Sequence, residues 1–144
     1  MKNLTVILDC SGSFAENGKL EILRALRLSA AALAKKFGAK SEFFIWREDV
    51  QPMTKPKDIV AHGVSNFHAL ENFLAALDED AKILLLSDGQ WGIDDGAKIK
   101  SLLAAQKFNL IFVAVGAGVK SVGAKWSAAD LPSAIQALLL GGAS

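Results

Sequence analysis

Four short apolar runs punctuate the chain: LTVIL from Leu4 to Leu8, FFIW from Phe43 to Trp46, ILLL from Ile83 to Leu86 and LIFVAV from Leu110 to Val115. They are continuous rather than alternating, the pattern of strands covered on both faces. Between them apolar residues recur at helical spacing. From Lys19 to Phe37, Leu23, Leu26, Ala30, Leu33 and Phe37 share one face and Gly38 follows as a C-terminal cap. Ser65 or Asn66 can open a second helix with Phe67, Leu70, Leu74 and Leu77 inward, and Asp94 or Asp95 a third with Ile99, Leu102 and Leu103 inward. A fourth is expected from Asp130 to Leu140. The stretch from Arg47 to Ile59, with Pro52 and Pro56 among charged residues, predicts a short edge strand and a loop.

Strands alternating with crossover helices predict an α/β fold of Rossmann-like layout. It is a doubly wound, mainly parallel sheet with helices on both faces and a short antiparallel edge strand. Residues 1–144 read as a single domain, with no internal repeat or linker. In this class ligands bind beyond the carboxyl ends of the strands. Two polar clusters fall there: Asp9 to Ser13 after the first run and Ser87 to Gly89 after the third.

Composition narrows the partners. With 51% apolar residues, 22% charged residues and a net charge of +1, the chain has neither the profile of a disordered segment nor a general attraction to nucleic acid or anionic membrane. The single cysteine, Cys10, cannot form an internal disulfide, the apolar run between Lys2 and Asp9 is too short for a signal h-region, and no segment has the length of a membrane span. A cytoplasmic setting is expected.

The two clusters are carboxylates and hydroxyls, hard oxygen donors that suit Mg²⁺, with Mn²⁺ or Ca²⁺ as alternatives. Helix and turn caps draw on the same residue types, so Asp9, Ser11, Ser13 and Asp88 also have a purely structural reading. Three segments in order, D-C-S-G-S at Asp9 to Ser13, G-V-S-N-F at Gly63 to Phe67 and S-D-G at Ser87 to Gly89, carry a family resemblance. The chain resembles a von Willebrand factor A-type (VWA) domain of the stand-alone intracellular kind. The resemblance implies a metal-ion-dependent adhesion site (MIDAS) in which Ser11 and Ser13 are direct ligands, Ser65 takes the place of the family's threonine, and Asp9 and Asp88 bind directly or through water. It also implies that an acidic residue of a partner protein completes the coordination. Ser65 keeps the threonine's hydroxyl but lacks the methyl that restricts its rotamer. No strand is evident after Leu140, so the last edge strand of the sheet is expected to be missing.

Phe14 and Trp91 flank two of the site loops, as partner-binding rim or as packing. Trp46 and Trp126 read as core or partly buried. His62 and His68 lack ligand spacing with a third candidate, and Asp78, Glu79 and Asp80 read as a solvated loop. Cys10 should alternate away from Asp9 into the helical layer. The glycine-rich GAGVKSVG, Gly116 to Gly123, matches no phosphate-binding spacing and reads as a turn after the last strand.

The function expected is a non-catalytic, metal-dependent protein-binding module, an adaptor or regulatory subunit. By resemblance its partner is an AAA+ ATPase of the MoxR kind. Two rivals remain. One is a metal-dependent phosphohydrolase or phosphotransferase using Asp9 as nucleophile, against which Ser11 stands where an acid/base carboxylate would be needed. The other is a scaffold domain with a vestigial metal site.

Overall fold

A computed structural model describes residues 2–12, 18–88, 97–99, 101, 109–115 and 126–140. The strands are β1 (Lys2–Asp9), β2 (Ala39–Trp46), β3 (Val50–Pro52), β4 (Lys82–Ser87), β5 (Asn109–Ala114) and β6 (Trp126–Ser127). The helices are α1 (Lys19–Lys36), α2 (Phe67–Ala76) and α3 (Leu131–Leu140). Residues 97–99 and 101 are also helical, and Ile99 is fully buried. The remainder of the expected third helix, including Leu102 and Leu103, lies outside the described residues.

The sheet order is β3-β2-β1-β4-β5-β6, with every pairing parallel except the short β2–β3 edge. The apolar runs fall in the strands, with Val115 just past the end of β5, and alternate buried residues enter two separate cores. Leu4, Val6 and Leu8 join Leu84, Leu86 and Val113 under α1 and α3. Ile7 joins Leu85, Phe112 and Trp46 under α2 and Ile99. This double coverage is why the runs are continuous rather than alternating.

The helix ends have local causes. Phe37 and Gly38 donate their N–H groups to the last-turn carbonyls of α1, and Gly38 has φ +77°, the left-handed conformation that glycine adopts without steric cost. Asn66, not Ser65, caps α2: its Oδ1 accepts from the His68 and Ala69 N–H groups at 3.0 and 3.2 Å.

One expectation needs correction. The sheet does have an edge strand beyond β5, the two-residue β6, which pairs through Val113↔Trp126 and Ala114↔Ser127. It precedes the last helix rather than following it, and two residues are too few to show a periodic signal. The glycine-rich Gly116–Gly123 lies outside the described residues, and because β6 comes later it does not follow the last strand. Trp126 is partly buried against the α1/α3 core, as expected. Among the described residues no helix is long and apolar enough to cross a membrane.

Candidate metal centre

The chain runs from β1 to β2 on one side of the sheet and later enters β4 on the other, so β1 and β4 flank the topological switch point. In open α/β sheets ligands bind outside the carboxyl ends of the strands at such a point. The parallel register puts Leu8 beside Leu86, which sets Asp9 next to Ser87 on the α2 face. Ser87 Oγ donates to Asp9 Oδ2 at 2.6 Å. One residue on, Asp88 belongs to the opposite face, where α1 lies.

Asp9 is fully buried, and a second oxygen gathers two more donors. Oδ1 accepts from the Ser11 N–H at 3.1 Å and from Ser65 Oγ at 3.0 Å. Because Asn66 supplies the cap of α2, Ser65 is left to reach Asp9. Burial pushes the Asp9 carboxyl above its ordinary range, more than the hydrogen bonds from Ser87 and Ser11 pull it down. Such a pocket favours added positive charge.

The loop that carries Ser65 is tied to the end of β1 by its own backbone and by Arg47. The Gly12 N–H donates to Gly63 O at 2.9 Å and the His62 N–H to Cys10 O at 3.1 Å. Arg47 Nε donates to Cys10 O at 3.2 Å, while Nη2 donates to Asp58 O at 3.1 Å and Val60 O at 2.6 Å. The carbonyl of Arg47 accepts the Asn66 N–H at 2.8 Å. Gly63 has φ +74°, the left-handed conformation that favours glycine in this turn, whereas the Glu48 carboxylate that a Cβ would meet is the end of a flexible side chain and can move aside.

On the α1 face, Lys19 Nζ donates to Asp88 Oδ2 at 3.0 Å, with side-chain exposures of 6% and 1%. The sequence places Ser87 in the second polar cluster but not among the ligands, and it gives Lys19 and Arg47 no role at the site. Lys19 carried a usable signal: it shares the inward helical face of Leu23, Leu26 and Ala30, where a charge needs a buried partner.

Of the expected site residues, the structure therefore gathers Asp9, Ser11, Ser65 and Asp88 at one sheet edge with Ser87. Ser13, Phe14 and Trp91 lie outside the described residues. The donor set fits a hard divalent cation, since two buried carboxylates and several hydroxyl oxygens meet at the switch point. Among the described residues no three His, Cys, Asp or Glu side chains cluster for a metal, so hydroxyls would have to supply part of the coordination. His62 and His68 are exposed, as are Asp78, Glu79 and Asp80.

Cys10 points away from Asp9 into the α1/α3 core, and burial pushes its thiol up to about 12. Iodoacetamide at pH 8 is thus expected to alkylate the native domain about 100-fold more slowly than the urea-unfolded chain, because little thiolate exists until the core opens. Intact-mass kinetics check this, and equal rates in the two states would count against a sealed thiol.

The architecture has clear counterparts among solved structures. A von Willebrand factor type A structure from Catenulispora acidiphila matches 96% of this chain and 42% of its own, with a TM-score of 0.59 at 13% identity. The fold is von Willebrand factor A-like. BatB from Bacteroides thetaiotaomicron matches over 79% of this chain and 66% of its own, with a TM-score of 0.55 at 13% identity. The D319A mutant of the PilB minor pilin from Streptococcus sanguinis matches over 96% and 60%, with a TM-score of 0.65 at 10% identity. The chain thus spans less than two thirds of each of these structures. No protein-family model and no curated protein matches the sequence.

Proposed function

We propose that this VWA-like chain is a divalent-metal-dependent protein-binding module of the MIDAS type, acting as an adaptor or regulatory subunit in the cytoplasm. Asp9, Ser11, Ser13, Ser65 and Asp88 would hold Mg²⁺, and an acidic side chain of a partner protein would complete its coordination. When bound, the ion supplies a hard, positively charged contact for that carboxylate. The observation that carries the reading is the convergence on Asp9: hydroxyls from the Ser65 loop and the β4 end and an amide from the β1 turn all aim at one buried carboxylate. An AAA+ ATPase of the MoxR kind is a partner suggested by resemblance alone.

Asp9 is a poor candidate nucleophile, because both of its oxygens are engaged by donors. The scaffold reading has one specific observation behind it, the ammonium of Lys19 already set against Asp88.

Calorimetric titration of the chelator-treated protein with Mg²⁺ and Mn²⁺ tests the proposal, with Asp9→Asn alongside. Saturable one-site binding is expected for the wild type and none for Asp9→Asn. Silence from the wild type that persists in Lys19→Met would move the scaffold reading ahead. The same variant carries a stability prediction. Asp9 ionises with more difficulty folded than unfolded, where its value is 3.8, so its contribution to metal-free stability is fully present below that value. It is lost as pH rises through the raised carboxyl range. Without metal, Asp9→Asn should therefore melt no lower than the wild type at pH 7 and relatively lower at pH 4. Added Mg²⁺ should raise only the wild-type melting temperature. A variant that melts well below the wild type at pH 7 would contradict the assigned strain.

A further inference from the structure

Lys19 opens α1, yet its side chain does not follow the usual habit of a lysine at a helix end, which is to reach solvent along an apolar stem. It turns inward, is 5% exposed, and places Nζ 3.0 Å from Asp88 Oδ2 across the switch point. Asp88 is also one of the two carboxylates on which the metal reading depends. An ammonium on that carboxylate does two things. It neutralises a buried charge when no ion is present, and it repels a dication that approaches the same oxygen.

We propose that Lys19 is a tethered rival of the metal, so that the ion and the ammonium contend for Asp88. The inference rests on the metal reading above. In the metal-free domain the pair keeps the two sheet-edge loops assembled. Metal entry requires the ammonium to leave Asp88 Oδ2 or to share it, which sets the affinity of the site well below what its oxygen donors alone would give. The site is then occupied mainly when a partner's carboxylate supplies the further attraction, and metal and partner bind together.

The test is Mn²⁺ titration by calorimetry of the wild type, Lys19→Met and Lys19→Arg. Lys19→Met is expected to bind Mn²⁺ at least about tenfold more tightly, since the repelling charge is gone, while Lys19→Arg stays near the wild type. Binding to Lys19→Met alone would support the proposal in its strongest form, a wild-type site held by its lysine. Equal or weaker binding by Lys19→Met would overturn it while leaving the metal reading intact, because Lys19 would then merely position Asp88. Binding by none of the three would sink both. If Lys19→Met does not fold, the ammonium ¹⁵N resonance of Lys19 in the unaltered protein decides: it must shift as Mg²⁺ saturates the site, and an unmoved signal at saturation refutes the rivalry.

Discussion

Truncation of Trp46 to alanine is expected to lower the unfolding free energy by about 3–5 kcal/mol, the upper range for emptying a core site. Trp46 is fully buried at the last position of β2 and meets Phe67 of α2 edge-on, with ring centroids 4.9 Å apart and planes at 86°. Its indole N–H donates to Asn66 O at 2.9 Å, and its own carbonyl accepts the Cys10 N–H at 3.0 Å. One side chain therefore fills the α2 core and holds the residue next to Ser65. Trp46→Phe preserves a ring against Phe67 and loses mainly the indole hydrogen bond and some volume, so about 1–2 kcal/mol is expected. Urea unfolding of the two variants measures the difference. Similar small losses in both would mean that the α2 core repacks without the indole.

Metal binding should follow the same order. If Trp46 fixes the Asn66 backbone and hence the Ser65 hydroxyl, even the folded fraction of Trp46→Ala should bind Mn²⁺ more weakly than Trp46→Phe. Site geometry here depends on a core contact, which is one reason an oxygen cluster alone says little about affinity.

The order and type of the long elements were legible because the apolar runs that mark them are also what two helical layers bury. Leu4 to Leu8 reads as a strand covered on both faces because even-numbered residues enter one core and Ile7 the other. Position at the carboxyl edge follows from the strand assignment, which puts Asp9, Ser11 and Asp88 on one edge of the sheet. What escaped was set by contacts distant in sequence. Lys19 looks like an ordinary charged residue in the first turn of a helix until Asp88 is seen opposite it. Arg47 follows a strand, and only the tertiary path of residues 58–62 turns it into a clamp for three carbonyls. The choice of Asn66 over Ser65 as cap was open because both residue types cap equally well. It matters functionally, since the residue not used as a cap is the one left to face Asp9.

The second large effect concerns the Lys19–Asp88 pair and separates its structural role from its cost. In chelator, Lys19→Met and Asp88→Asn are each expected to lose about 3–5 kcal/mol, because each removes one side of a buried ion pair. The double variant should recover most of that loss and fall within about 1 kcal/mol of the wild type, since a neutral pair avoids the desolvation of two ions. Costs that simply add would show that the two side chains act independently, despite the 3.0 Å contact. Saturating Mg²⁺ extends the cycle. It should stabilise Lys19→Met more than it stabilises the wild type, and it should leave the two variants that lack the Asp88 carboxylate nearly unchanged. That pattern would identify one carboxylate serving two cations in turn, the lysine when no ion is bound and the metal when the site is filled.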